Sequence, residues 1–155
     1  MRASWWDGAF SGLATGGSTM PGRRRRARII ALQTLYEADT TGHDAQGTLN
    51  RLLAEARVPD EIGAFARELV TDAISQREYI DGIIAKVAAA WPVDQMAPVD
   101  RNILRLAILE ILLKNSTPLR AAINEAVELA KTFGSDNSAR FVNGVLGSVS
   151  LMKTS

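Results

Sequence analysis

The chain of 155 residues contains no cysteine. Disulfides and thiolate metal sites are therefore excluded. The composition suits a reducing cytoplasm without requiring one. Histidine occurs once, at His43, in a polar turn after Gly42. A lone imidazole there reads first as a solvated surface group and only then as a general base. No glycine-rich loop carries the lysine and hydroxyl of a phosphate-binding loop, and no serine sits in a nucleophile-elbow context. Acidic residues fall singly on helix faces, so no His/Asp/Glu cluster has metal-ligand spacing. Long hydrophobic runs are also missing: nothing approaches the roughly 18 uncharged apolar residues of a membrane span. No run alternates with period two, so strands are not expected, and no solenoid-length repeat is visible. The reading is a non-enzyme with no catalytic residue, metal or cofactor, and no membrane partner.

What is present is ordinary in bulk and uneven in detail. The chain is 46% hydrophobic and 23% charged, as a soluble single domain would be. A domain of this length buries roughly 68–70% of its unfolded surface and needs no staple. The net charge of +1 hides an asymmetry. Arg23, Arg24, Arg25, Arg26 and Arg28 form a run without an acid, whereas residues 29–155 hold 12 Lys+Arg against 16 Asp+Glu. A basic arm on a mildly acidic body points to a polyanion held at one end. Arginine forks match phosphate oxygens and stack on exposed bases, and the run leads into a helix whose free N–H groups add positive potential. Such a run is also compatible with simple solvation or an anionic lipid surface. The membrane alternative is the weaker one, because no bulky apolar residues are interleaved. Tyr36 and Phe133 are candidate stacking platforms for single-stranded RNA, although each reads more readily as core.

Residues 1–22 differ from the rest: they carry five glycines and no sustained periodicity. They read as a disordered leader, with Met20 as an alternative translation start. From residue 23 the period is helical. Helices are expected over about 23–40, ended by Gly42, and over about 46–56, with Leu49, Leu52, Leu53 and Ala56 on one face. The stripe over 60–90 would be about 46 Å long unbroken, so a break is expected, near Gly82. Residues 98–114 are strongly apolar and read as the buried centre of a bundle. Thr117 and Pro118 read as N-cap and first residue of the next helix. Gly134 closes that helix. Ser135 or Asp136 caps the last, with Phe141, Val142, Val145, Leu146 and Val149 inward. Gly144 and Gly147 suggest a close helix approach, or simple tolerance. Glu110, Glu125 and Glu128 are expected near the core in ion pairs, Glu110 with Arg101 or Arg105 and Glu128 with Lys131. The whole is an all-α, compact bundle of about six or seven helices.

Particular residues carry a resemblance. Arg26-Ala27-Arg28 through Ala31, Gln33, Leu35 and Tyr36, then Val99-Asp100-Arg101, Leu104-Arg105, Ala107 and Glu110, are two partial matches. The most specific is Ala122-Ile123-Asn124-Glu125-Ala126-Val127-Glu128-Leu129-Ala130-Lys131, Phe133-Gly134, Asp136, Ser138 and Phe141-Val142-Asn143-Gly144-Val145-Leu146. Over about residues 22–152 the chain resembles the NusB family of bacterial transcription antitermination factors. The resemblance implies two small helical subdomains over residues 23–155. It also implies binding to boxA RNA of ribosomal RNA operon transcripts together with NusE, a small-subunit ribosomal protein, and through that complex an indirect link to RNA polymerase and other Nus factors. RNA contacts would fall on Arg23, Arg24, Arg25, Arg26 and Arg28, helped by Tyr36, Lys131 and Phe133. The NusE surface would include the region around residues 72–84. Without the family, Asn124 and Asn143 read as groups that satisfy buried helix ends. Two other readings stay open. One is the NusB-like accessory domain of a ribosomal RNA methyltransferase, disfavoured because no methyltransferase motif follows before Ser155. The other is a protein-interaction bundle with an incidental arm. The residues also leave open a homodimer through an apolar helix face.

Overall fold

The computed structural model describes residues 22–153. The leader, save Gly22, and the alternative start at Met20 lie outside the described residues. Every regular element described is helical: α1 Arg23–Thr41, α2 Ala45–Ala56, α3 Asp60–Ser75, α4 Arg77–Val87, α5 Pro98–Ile108, α6 Leu119–Phe133 and α7 Ser138–Lys153. The chain divides into two compact units at Thr71/Asp72.

In the first unit α1 is the centre. Gly22 precedes it, and Gly42 ends it in the left-handed region at φ 77°, donating its N–H to the Ala38 carbonyl. Glycine reaches that conformation without a Cβ penalty. Every residue from Ala27 to Leu35 is buried, Arg28, Gln33 and Thr34 included. The expected amphipathic stripe is thus a helix covered on all sides. The Thr34 hydroxyl donates to the Ile30 carbonyl at 2.8 Å. Asp44 caps α2 by accepting from Gly47 N–H at 2.9 Å. Leu49 and Leu52 from α2, with Ile62, Ala66, Leu69 and Val70 from α3, complete the apolar core.

One acid inside this unit is well satisfied. Arg51 Nη2 donates to both Glu37 oxygens at 2.8 Å, and Thr48 and His43 reach the same carboxylate at 3.1 and 3.3 Å. Burial pushes the Glu37 carboxyl up, but hydrogen bonds from Arg51, His43 and Thr48 and the charge of Arg51 outweigh it. The net effect holds it below the ordinary carboxylate value.

The second unit is built around α5. Asn102 to Ile111 are buried without interruption, as expected of a bundle centre, and α4, α6 and α7 pack against α5. Arg105, itself buried, forks onto Asp81 of α4 at 2.8 and 3.0 Å and donates to the Asn102 side chain at 3.0 Å. A bidentate charged pair of this kind fixes both distance and orientation between two helices.

Several boundaries differ from the sequence expectation. The long stripe breaks at Gln76 (φ −104°, ψ 12°), not at Gly82. The Ser75 hydroxyl there donates to the Asp72 carbonyl at 3.2 Å, a side-chain bond that competes with helical continuation. Gly82 lies inside α4 with open space beside it. The apolar run over 98–114 is not one α-helix: Leu109–Lys114 widen into a π-helical turn, closed by Asn115 at φ 52°. Thr117 does not cap α6, which has Pro118 at its N-cap; the Thr117 hydroxyl donates to buried Glu110 at 2.8 Å. Helix α7 begins at Ser138, whose hydroxyl accepts the Ser135 N–H at 2.9 Å, so the cap contact runs opposite to the one expected. Gly144 and Gly147 face open space and serve no close approach. Asn124 and Asn143 are exposed within their helices and satisfy no buried end.

Gly134 is the glycine that packing demands. A Cβ there would lie 2.4 Å from the Ser138 Cβ and 2.8 Å from the Ala130 carbonyl oxygen. Gly134→Ala should destabilise the protein by about 1–3 kcal/mol through overpacking, whereas Gly144→Ala should stabilise it by up to about 1 kcal/mol through helix propensity. Denaturant midpoints of the two variants should therefore move in opposite directions. For Glu37, a lowered folded pKa contributes stability that is present above the unfolded carboxyl value and is lost as pH falls through the folded one. Glu37→Gln should accordingly be less stable at neutral pH and lose less between pH 7 and pH 3; parallel stability–pH curves for the two proteins would refute this.

Candidate nucleic-acid interface

The first turn of α1 has no capping side chain and no acidic residue. Its N-terminal N–H groups and the helix dipole are therefore not neutralised within the turn. The arginines that follow are not equivalent. Arg23 and Arg24 are exposed, and Arg25 and Arg26 are half-buried. Arg28 is only 5% exposed. Its guanidinium lies 5.6 Å from the centre of the Phe65 ring, and that of Arg24 lies 4.5 Å from it. Arg28 is thus part of the packing of this unit, whereas its four neighbours in the run face outward or half outward. Arg23 pairs with Glu61. Arg23, Arg24, Glu61, Ile62 and Phe65 line a hollow of about 220 Å³.

The other expected site residues are dispersed. Tyr36 is half-buried on α1, ten residues beyond Arg26 and so about 15 Å along the axis. It belongs to the same helix as the arm but not to the same cluster. Lys131 is exposed near the end of α6 and bonded to Glu128 at 3.1 Å, the partner expected for that acid. Phe133 is 5% exposed. It packs in the core of the second unit, the place that the sequence reading favoured for it over a stacking platform.

A second hollow, of about 280 Å³, lies wholly within the second unit. Its lining is Trp91, Met96, Ala97, Asp100, Ser135, Asn137 and Phe141. Trp91 is 55% exposed, and its ring meets Phe141 at 6.4 Å between centroids and 54° between planes. Phe141 is half-buried rather than inward. Asp100, near the start of α5, has a buried Oδ1 without a hydrogen-bond partner. Two accessible rings beside an unsatisfied acceptor suit a planar ligand that brings N–H donors. Sequence reasoning passed over Trp91. Its signal was a large aromatic in a short turn directly before Pro92, where no helical stripe claims it.

His43 sits beside Glu37, but Arg51 holds that carboxylate. Among the described residues no group of three or more His, Cys, Asp or Glu could hold a metal ion, and no helix is long and apolar enough to cross a membrane.

Comparison with known proteins gives consistent matches. The NusB family model matches residues 25–151. A transcription antitermination protein NusB of Roseiflexus sp. (strain RS-1) is 53% identical over 132 residues, covering 84% of this chain and 93% of that protein. One of Dehalococcoides mccartyi (strain ATCC BAA-2266 / KCTC 15142 / 195) is 51% identical over 127 residues, covering 82% of this chain and 89% of the relative. Among solved structures, the crystal structure of antitermination factors NusB and NusE in complex with dsRNA is similar. That chain superposes with a TM-score of 0.78 at 28% identity, over 84% of this chain and 97% of its own length.

Proposed function

The chain belongs to the NusB family, and from that premise we propose that it is a non-catalytic, cytoplasmic transcription antitermination factor. It binds boxA RNA of ribosomal RNA operon transcripts together with NusE and supports processive transcription of those operons. The observation that carries the reading is the arm: four outward or half-outward arginines, Arg23 to Arg26, on an uncapped first helical turn without an acid. Guanidinium forks and free N–H groups at one helix end make a site for a phosphate backbone. The solved NusB relative that carries dsRNA and NusE supports the same assignment.

Phosphate contacts position an RNA without reading it. In this proposal sequence is read elsewhere, on unstacked bases. The Trp91–Phe141 hollow supplies the aromatic faces, and Asp100, whose buried Oδ1 has no partner, lines the same hollow. Lys131 adds a further cation. Partner binding has its own support: the region around residues 72–84 exposes Ile74 and Tyr79 as large apolar side chains, as a protein-binding surface would.

Titration of a fluorescent boxA RNA, with and without NusE and beside a scrambled RNA, tests the reading. Preference for boxA should strengthen with NusE. With Arg28 buried, at most four arm arginines remain, so the log–log salt slope should not exceed about −3 in magnitude, at roughly −0.7 per contact. Replacing Arg23 to Arg26 by alanine should flatten the slope and weaken both RNAs together. Trp91→Ala should instead lower boxA affinity by roughly 5- to 100-fold, as the loss of a stacked base does, and leave the slope unchanged. Equal weak binding of both RNAs with no NusE effect would refute the antitermination assignment.

A further inference from the structure

The arginine arm is faced by one turn of α3, and the two side chains on that turn act in opposite senses. Phe65 lies under Arg24 at 4.5 Å. A guanidinium stacked by its face keeps its in-plane N–H groups for a ligand. Phe65 therefore orders Arg24 without blocking it. Glu61, four residues earlier, takes an N–H of Arg23 directly. A carboxylate and a phosphate oxygen accept the same donors in the same geometry, so Arg23 cannot serve both fully. Glu61 also places a negative charge on the wall of the hollow that Arg23 and Arg24 line.

We propose that Glu61 is an autoinhibitory contact of the RNA site: its carboxylate stands in for an RNA phosphate on Arg23 and must be displaced before the whole arm engages. This rests on the RNA reading above. Both side chains of the pair are largely exposed, at 73% and 65%. An exposed ion pair is weak, which suits a contact that has to open. Wild-type protein then uses about one fewer phosphate contact than the exposed arginines would allow.

Glu61→Gln keeps the shape and removes the charge. It should tighten RNA binding about 3- to 10-fold at 50 mM salt, from one recovered contact and the loss of one nearby repulsion. The salt slope should steepen by about 0.7, so the gain shrinks roughly 2.5-fold by 200 mM. In an Arg23→Ala background the same substitution should have little effect, because the two changes are coupled through one contact. The thermal midpoint should stay put, which separates this role from a structural one. Unchanged or weaker RNA binding by Glu61→Gln, while wild-type protein binds normally, would overturn the inference alone. An equal gain without Arg23 would overturn it too, leaving only long-range charge. Failure of wild-type and variant alike to bind any RNA would remove the RNA reading itself, and this inference with it.

Discussion

A helix buried on every face can offer a partner only its ends. That constraint governs the first unit. From Ala27 to Leu35 every residue of α1 is buried, so the outward arginines of this helix lie in the turn before Ala27. The burial also explains why Arg28 differs from its four neighbours. One turn into the helix it is already inside, and it must satisfy its charge against Phe65 and further groups within the fold. The same burial makes the arm rigid at its base. Arg23 to Arg26 emerge from a helix that cannot rotate without unpacking the core, which reduces the ordering entropy that a loose basic tail would lose on binding.

The polar groups that burial traps are handled in pairs and forks. Glu37 is held by Arg51, Thr48 and His43, Arg105 by Asp81 and Asn102, and Glu110 by Thr117. Each contact joins segments distant in sequence or closes a turn, so each fixes geometry as well as charge. Two side-chain oxygens depart from this: Gln33 Oε1 and Asp100 Oδ1 are buried without a partner, and Asp100 is one of the residues that line the aromatic hollow. An unsatisfied acceptor in an otherwise well-paired interior is where a ligand's donor has most to gain. The two surfaces thus divide their chemistry. The arm presents charge, and the hollow is lined by two rings and by Asp100.

Helical class, the approximate limits of most helices, the central place of residues 98–111 and the basic arm were all legible in the sequence. They depend on local or additive quantities: the 3.6-residue period, glycine at helix ends, and the count of charges along a run. The family string around residues 122–146 was legible for the same reason, as a pattern of residues at set spacing. Which side of a helix meets a neighbour is not local, and there the tertiary structure decided. It placed the break at Gln76, where Ser75 bonds back to the main chain, and left Gly82 inside a helix. It turned Phe133 into the core and left Phe141 at the rim of a hollow with Trp91. It buried Arg28, and it set Glu61 of a different helix against Arg23. Periodicity reports that a side chain lies on a given face; only packing between distant segments determines what that face touches.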